Sequence, residues 1–232
     1  MISPRLMIAL ALALGLSACA AQAPQATRAA PSPQPSFAVT SDANAPVIVA
    51  DKLYLEAQYD VEAIRISVPR SLKVSEANSF KPRADIVWRG DLPGDRHAQV
   101  AAIFAEASAQ GTAAMQTGRK VDLEIEVTKF HALTEKTRYS IGGVHEMRFH
   151  LTVRDALTGQ VLDGPRAIAA DVKASGGGQA IAEEQMGRTQ RVVTIERLTQ
   201  VIRRELSVAV PQDQLISRLS IEHAASPLGL GL

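Results

Sequence analysis

The spacing of apolar residues changes along the chain, and each change marks an element. Leu6 to Leu16 is a continuous apolar run, whereas residues 20–46 hold almost no large apolar side chain. Past Val47, Val61, Ile64, Ile66 and Val68 predict a strand that Pro69 ends, with Leu72 and Val74 as a short extended continuation. Ala84 to Trp88 predicts a second short strand running into the turn cluster Gly90-Asp91-Leu92-Pro93-Gly94-Asp95. Val100, Ile103, Phe104 and Ala107 recur at helical spacing, which predicts a helix over 96–115 with Asp95 as its N-cap and Gly111 and Gly118 bracketing its end.

The period then falls to two. Val121, Leu123, Ile125 and Val127 alternate with Asp122, Glu124, Glu126 and Thr128, the pattern of a strand with one wet face. A polar loop over 133–143 precedes a second alternating strand, with Met147, Phe149, Leu151 and Val153 on one face and Glu146, Arg148, His150, Thr152 and Arg154 on the other. The turn 155–159 returns the chain into a third strand over 161–172. The acidic wet face of the first of these strands is expected to pair with the more basic face of the next. Gly176-Gly177-Gly178 closes this region, and a long helix over 179–208 presents Val192, Ile195, Thr199, Ile202 and Leu206 on one face, with Gly187 marking a kink or a separate first turn.

These elements predict an α+β fold: a two-layer sandwich in which a mixed or antiparallel sheet of about four strands carries two helices on one face, in the order β-α-β-β-β-α. The expected domain spans 47–210, with a tail over 211–232 and no internal repeats. The sheet's other face carries charge and is expected to be solvated or covered by a partner.

The N-terminus reads differently. Arg5 and the apolar run after it form a secretory signal segment, too short for the roughly 20 residues of a membrane-crossing helix. Leu16-Ser17-Ala18-Cys19 resembles a bacterial lipobox. The resemblance implies a signal peptide over 1–18 cleaved after Ala18, lipidation of the Cys19 thiol, and acylation of the new amino group by fatty acids such as palmitate. Several acyl chains on one residue make a stable membrane anchor where one holds only marginally. In the better-known sorting scheme an Asp after the cysteine retains the protein in the inner membrane. Ala20 therefore points to the periplasmic face of the outer membrane. The Ala-, Gln- and Pro-rich remainder of 19–46 cannot bury enough surface to fold and reads as a tether, with a reach from roughly 30 Å as a coil to roughly 80 Å as polyproline II.

Composition narrows the choice of function. Lys plus Arg number 25 against 24 Asp plus Glu, which argues against a nucleic-acid partner. The one cysteine is that of the lipobox, so no intramolecular disulfide is available.

Ser67 to Leu72, Ala84-Asp85-Ile86-Val87-Trp88-Arg89-Gly90-Asp91, Pro93 to Val100, Tyr139 to His145 and Arg154-Asp155-Ala156-Leu157-Thr158-Gly159 resemble an uncharacterised family of alphaproteobacterial lipoproteins classed as a domain of unknown function. The resemblance implies a lineage and an envelope setting, and it brings no activity and no functional residues. The layout is also similar to that of small envelope lipoproteins that assist lipid or lipopolysaccharide transport machines.

Familiar catalytic patterns fail on spacing. His145 and His150 are five apart on a strand and face opposite sides, so they cannot share a metal. Gly111 to Lys120 lacks the Gly-Lys-Ser/Thr ending of a phosphate loop, and Gly176–Gly178 lacks the dinucleotide fingerprint. No nucleophile elbow occurs. No metal, cofactor or enzymatic activity is therefore expected. The leading expectation is a non-enzymatic accessory protein, anchored to the membrane by lipid, that binds a protein partner in the envelope through Glu135, Arg138, Tyr139, Glu146 and Arg148. The alternative is a small-ligand binder or unrecognised hydrolase built on the loop Asp91, Asp95, Arg96 and His97, at a helix N-terminus that favours anions. Trp88 beside that loop reads as core.

Overall fold

A computed structural model describes residues 53–214, 216 and 217. The predicted signal peptide, Cys19 and the predicted tether lie outside the described residues, as does most of the predicted tail. In chain order the elements are β1 (Leu53–Ala57), β2 (Tyr59–Ser67), β3 (Ile86–Val87), α1 (Arg96–Thr112), β4 (Arg119–His131), α2 (Glu135–Arg138), β5 (Gly143–Asp155), β6 (Val161–Ala169), β7 (Val172–Ala174), α3 (Gly177–Gln185), α4 (Gln190–Glu205) and β8 (Ser207–Pro211).

The two strands of clearest alternation form the middle of the sheet. β4 and β5 pair antiparallel from Val121 opposite Asp155 to His131 opposite Glu146. β2 joins β4 in parallel and β6 joins β5 antiparallel, giving the path β2-β4-β5-β6. β3 pairs with the last residues of β4, and β7 with the first residues of β5. β1 and β8 form a separate antiparallel ladder, with Leu53 opposite Pro211.

Alternation puts Val121, Leu123, Ile125 and Val127 of β4 on one face with Met147, Phe149, Leu151 and Val153 of β5. That face joins Val100, Ile103, Phe104 and Ala107 of α1 and Ile195, Leu198 and Ile202 of α4 in one buried cluster. Phe104 packs edge-on against Phe149 at 5.4 Å between ring centroids, and Trp88 packs edge-on against Phe130 at 5.5 Å. Edge-to-face contacts of this kind suit the ring quadrupole and add to the burial of the rings themselves.

The chain is α+β with a mixed sheet, and its detail departs from the sequence reading. Three strands precede α1, of which the sequence predicts β2 and the short β3 but not β1, and the order gains the short helices α2 and α3 and the strand β8. The helix predicted over 179–208 is two helices. Gly187, at φ +81°, ends the first, and Thr189 caps the second by accepting from the Val192 backbone N–H. The restart shifts the phase, so Val192 is exposed while Val193, Leu198 and Val201 face inward with Ile195 and Ile202. Pro211, expected in the tail, is paired in β8. α1 ends at Thr112 and contains Gly111, which meets α4. The strand predicted over 161–172 breaks between Ala169 and Val172, where β6 passes to β7.

Candidate functional site

The loop before α1 is bound into the fold. Asp95 accepts hydrogen bonds from the His97 and Ala98 backbone N–H groups at 3.0 and 3.2 Å, the N-cap expected from its position. Arg70 also donates two bonds to Asp95, at 2.9 and 2.7 Å. The Arg70 guanidinium foremost, then the Ala98 N–H, holds the Asp95 carboxyl down at about 2. Arg96 is only 4% exposed and donates to both carboxylate oxygens of Glu76 and to Gln99. His97 Nε2 lies 3.1 Å from the Leu72 carbonyl. Asp91 accepts from the buried Trp88 indole at 2.7 Å and from Arg191 at 3.3 Å. All four side chains thus have partners within the protein.

Glu135, Arg138, Tyr139, Glu146 and Arg148 do not share one exposed tip. Thr134 caps α2 and donates to the Ser79 carbonyl, and the Lys136 N–H donates to Asn78, which docks α2 on the 76–81 segment. Glu135 pairs with Arg89. Arg138 is 2% exposed, which removes it from any surface. Its Nε lies 3.6 Å from Glu184 of α3, and that carboxylate already accepts from the Tyr139 hydroxyl at 2.9 Å. Nε and Nη2 of Arg138 are buried without a hydrogen-bond partner, as is Nε2 of the fully buried His145. His145 Nδ1 accepts from the Leu133 N–H at 3.3 Å, so its proton sits on Nε2. Burial foremost, and the charge of Arg138 second, push the His145 imidazole down to about 4. Glu146 lies between Lys129 and Lys81, which hold its carboxyl at about 2. Arg148 is exposed and reaches Asp171 at 3.5 Å.

Two grooves emerge that the sequence reading did not single out. One, of about 390 Å³, lies on the charged sheet face. Register sets Ser67, Glu126 and His150 in one row across its strands and Arg65, Glu124 and Thr152 in the next. Arg65 is taken by Asp122 and Glu124 by Arg154, each at 2.8 Å. The other, of about 330 Å³, is mostly apolar and lies at the start of β5, lined by Phe80, Leu133, Ile141 and Val144 with Lys81 and Glu146 at its rim. A neighbouring cavity of about 580 Å³ shares Ile141 and Gly143 and adds Lys173, Ser175 and Gln179. The available signal was Ser140-Ile141-Gly142-Gly143-Val144, where two apolar residues interrupt an otherwise polar loop. Gly142, at φ +69°, is pressed against the Ser175–Gly176 backbone, so the turn holds Ile141 outward in a conformation that few other residues adopt.

No group of three metal-ligating side chains occurs among the described residues. No helix among them is long and apolar enough to cross a membrane.

A family model described as a family of unknown function matches residues 59–220. No curated protein matches the chain. Among solved structures, a Xanthomonas campestris protein assigned to the family model DUF330 is 13% identical, with 72% of this chain and 88% of that chain covered and a TM-score of 0.35. A Caulobacter crescentus CB15 protein, provisionally described as a lipoprotein, is 14% identical over 61% of this chain and 89% of that one, with a TM-score of 0.26. An uncharacterized protein is 14% identical over 73% and 95% of the respective chains, with a TM-score of 0.32.

Proposed function

The chain belongs to the DUF6778 family of unknown function, and from that premise we propose that it is a lipid-anchored bacterial envelope protein, acylated at Cys19, serving as a non-enzymatic accessory or binding component of an envelope complex. The observation that carries this reading is the order of the sequence: an apolar segment ending in Leu16-Ser17-Ala18-Cys19, then a stretch that cannot form a core, then a chain that does. Ala20 supports the periplasmic face of the outer membrane, and the motifs quoted above support an alphaproteobacterial lipoprotein lineage. The internal bonding of Asp91, Asp95, Arg96 and His97 supports a structural role for that loop over a ligand site.

Metabolic labelling with an alkyne palmitate analogue, followed by mild detergent extraction and mass spectrometry, tests the proposal in the full-length protein. Acyl label confined to Cys19 and abolished by Cys19→Ala is expected, together with a protein partner recovered in stoichiometric amount. An unlabelled Cys19, or a labelled protein recovered alone, would overturn the anchored-accessory reading.

A further inference from the structure

The end of the domain at α2 and the start of β5 carries apolar surface that no described residue covers. Phe80, Ile141 and Val144 are 50%, 74% and 45% exposed around the groove floored by Leu133. Clustered exposure of this kind marks an interaction site, whereas isolated apolar residues on a surface do not.

The rim is basic. Lys136 stands over the Phe80 ring, 4.6 Å from its centroid, and Lys173 lines the cavity that shares Ile141. Neither has a carboxylate partner among the described residues. Lys81 and Lys129 both reach Glu146. Of the other nearby acids, Glu135 pairs with Arg89, Glu184 accepts from Tyr139 with Arg138 3.6 Å away, and Glu183 accepts from Ser175 and Gln179 of the cavity wall, which leaves the basic side chains in excess.

The C-terminal segment beyond the described residues is poorly placed to fill this groove. β4 is 13 residues long, about 40 Å. The groove takes residues just past its last position, whereas Tyr59 pairs with Arg119 at its first, next to the β1–β8 ladder. Leu53 and Pro211 therefore both lie at the far end. Residues 218–232 extend to at most about 50 Å, and most of that length would be needed to cover the distance. The shape also disfavours a lipid surface: the site is concave and sized for a side chain or two, where a bilayer receives protruding ones.

We propose that this groove docks an acidic, apolar segment of a partner protein: an aliphatic or aromatic side chain seated among Phe80, Leu133, Ile141 and Val144, with flanking carboxylates facing Lys136 and Lys173. The inference rests on the accessory reading and gives it a site and a partner chemistry. p-Benzoylphenylalanine is placed at position 141 of the full-length protein in its native membranes, with Leu157, 93% exposed in the turn after β5, as the control position. Crosslinks from 141 and not from 157 should map to one protein segment in which an apolar residue sits among Asp or Glu. The pair Lys136→Glu and Lys173→Glu should lower their yield at least tenfold, with acylation and melting temperature unchanged. Crosslinks to phospholipid alone, to a second copy of this chain alone, or to a segment without acids would overturn the proposal, as would none at all. A partner that still co-purifies with Ile141→Asp defeats the groove and leaves the accessory reading standing; loss of Cys19 acylation in the parent protein defeats that reading instead.

Discussion

Arg138 and His145 show how a buried N–H without an acceptor couples stability to pH. The unfolded histidine has a pKa near 6.5, whereas burial and Arg138 hold the folded imidazole at about 4. As pH falls from about 6.5 the unfolded chain takes up a proton that the folded one refuses. The stability that His145 contributes is therefore complete above about 6.5 and lost by about 4, a change of roughly 2–4 kcal/mol. Glu146 and Asp155, both held at about 2, act in a lower window: their contribution is present above the ordinary carboxylate range and falls away only toward pH 2. Thermal melts of the wild type should thus decline already between pH 6.5 and 4. His145→Gln, which keeps an acceptor for Leu133, should flatten that decline, and Arg138→Met should move the His145 titration part of the way back up, since burial remains. An NMR titration of His145 near 6.5 in the wild type would refute the assignment. Strand parity made the inward orientation of His145 legible, since it shares a face with Met147. Nothing in a polar loop marked Arg138 as buried, because its burial depends on α3, 40 residues further on, folding back over it.

At the scale of elements, what was legible is what a local period encodes. β4 and β5 follow from strict alternation, and α1 from its spacing and the Asp95 cap. β7 and β8 are three and five residues long and exist because a partner strand is in reach, which no window of sequence contains, whereas the two residues of β3 fall within the short strand expected over 84–88. The junction of α1 and α4 has the same character. Gly111 reads as a helix end, yet it lies inside α1, where an added Cβ would sit 3.1 Å from the Thr199 carbonyl oxygen of α4. Alanine gains about 1 kcal/mol of helix propensity over glycine, but here it must displace a backbone carbonyl that its own helix fixes. Gly111→Ala should therefore destabilise by about 1 kcal/mol and Gly111→Val by about 2–3 kcal/mol, read from urea denaturation midpoints. A stabilised Gly111→Ala would mean that the helices stand further apart than described. The apolar groove was legible only as two unexplained residues, Ile141 and Val144, since its far wall, Phe80, comes from a loop more than 50 residues earlier.

For the whole molecule, the β1–β8 ladder joins the first and last described strands outside the main sheet. Its five residue pairs leave Tyr54 and Leu55 about half exposed but bury Val210. Deleting residues 207–232 would remove Val210, whose burial is worth about 1.5–3 kcal/mol, and would leave β1 with unpaired backbone groups along one edge. An uncovered strand reading Leu53-Tyr54-Leu55, with no lysine or proline in it, is a template for pairing with another chain. The truncated protein should keep its helices and main sheet, since none of the α1, α4, β4 and β5 core side chains named above lies past Glu205. It should melt earlier and self-associate more than the full chain as concentration rises, as read by light scattering on a sizing column. Tyr54→Lys in the truncated chain should restore the full chain's association behaviour without restoring its melting temperature, because a charge blocks edge pairing but does not replace Val210. Equal stability of the two chains would show the ladder to be an appendage. The loss expected here instead makes it the clasp that joins the first and last described strands and fixes where the chain enters and leaves the domain.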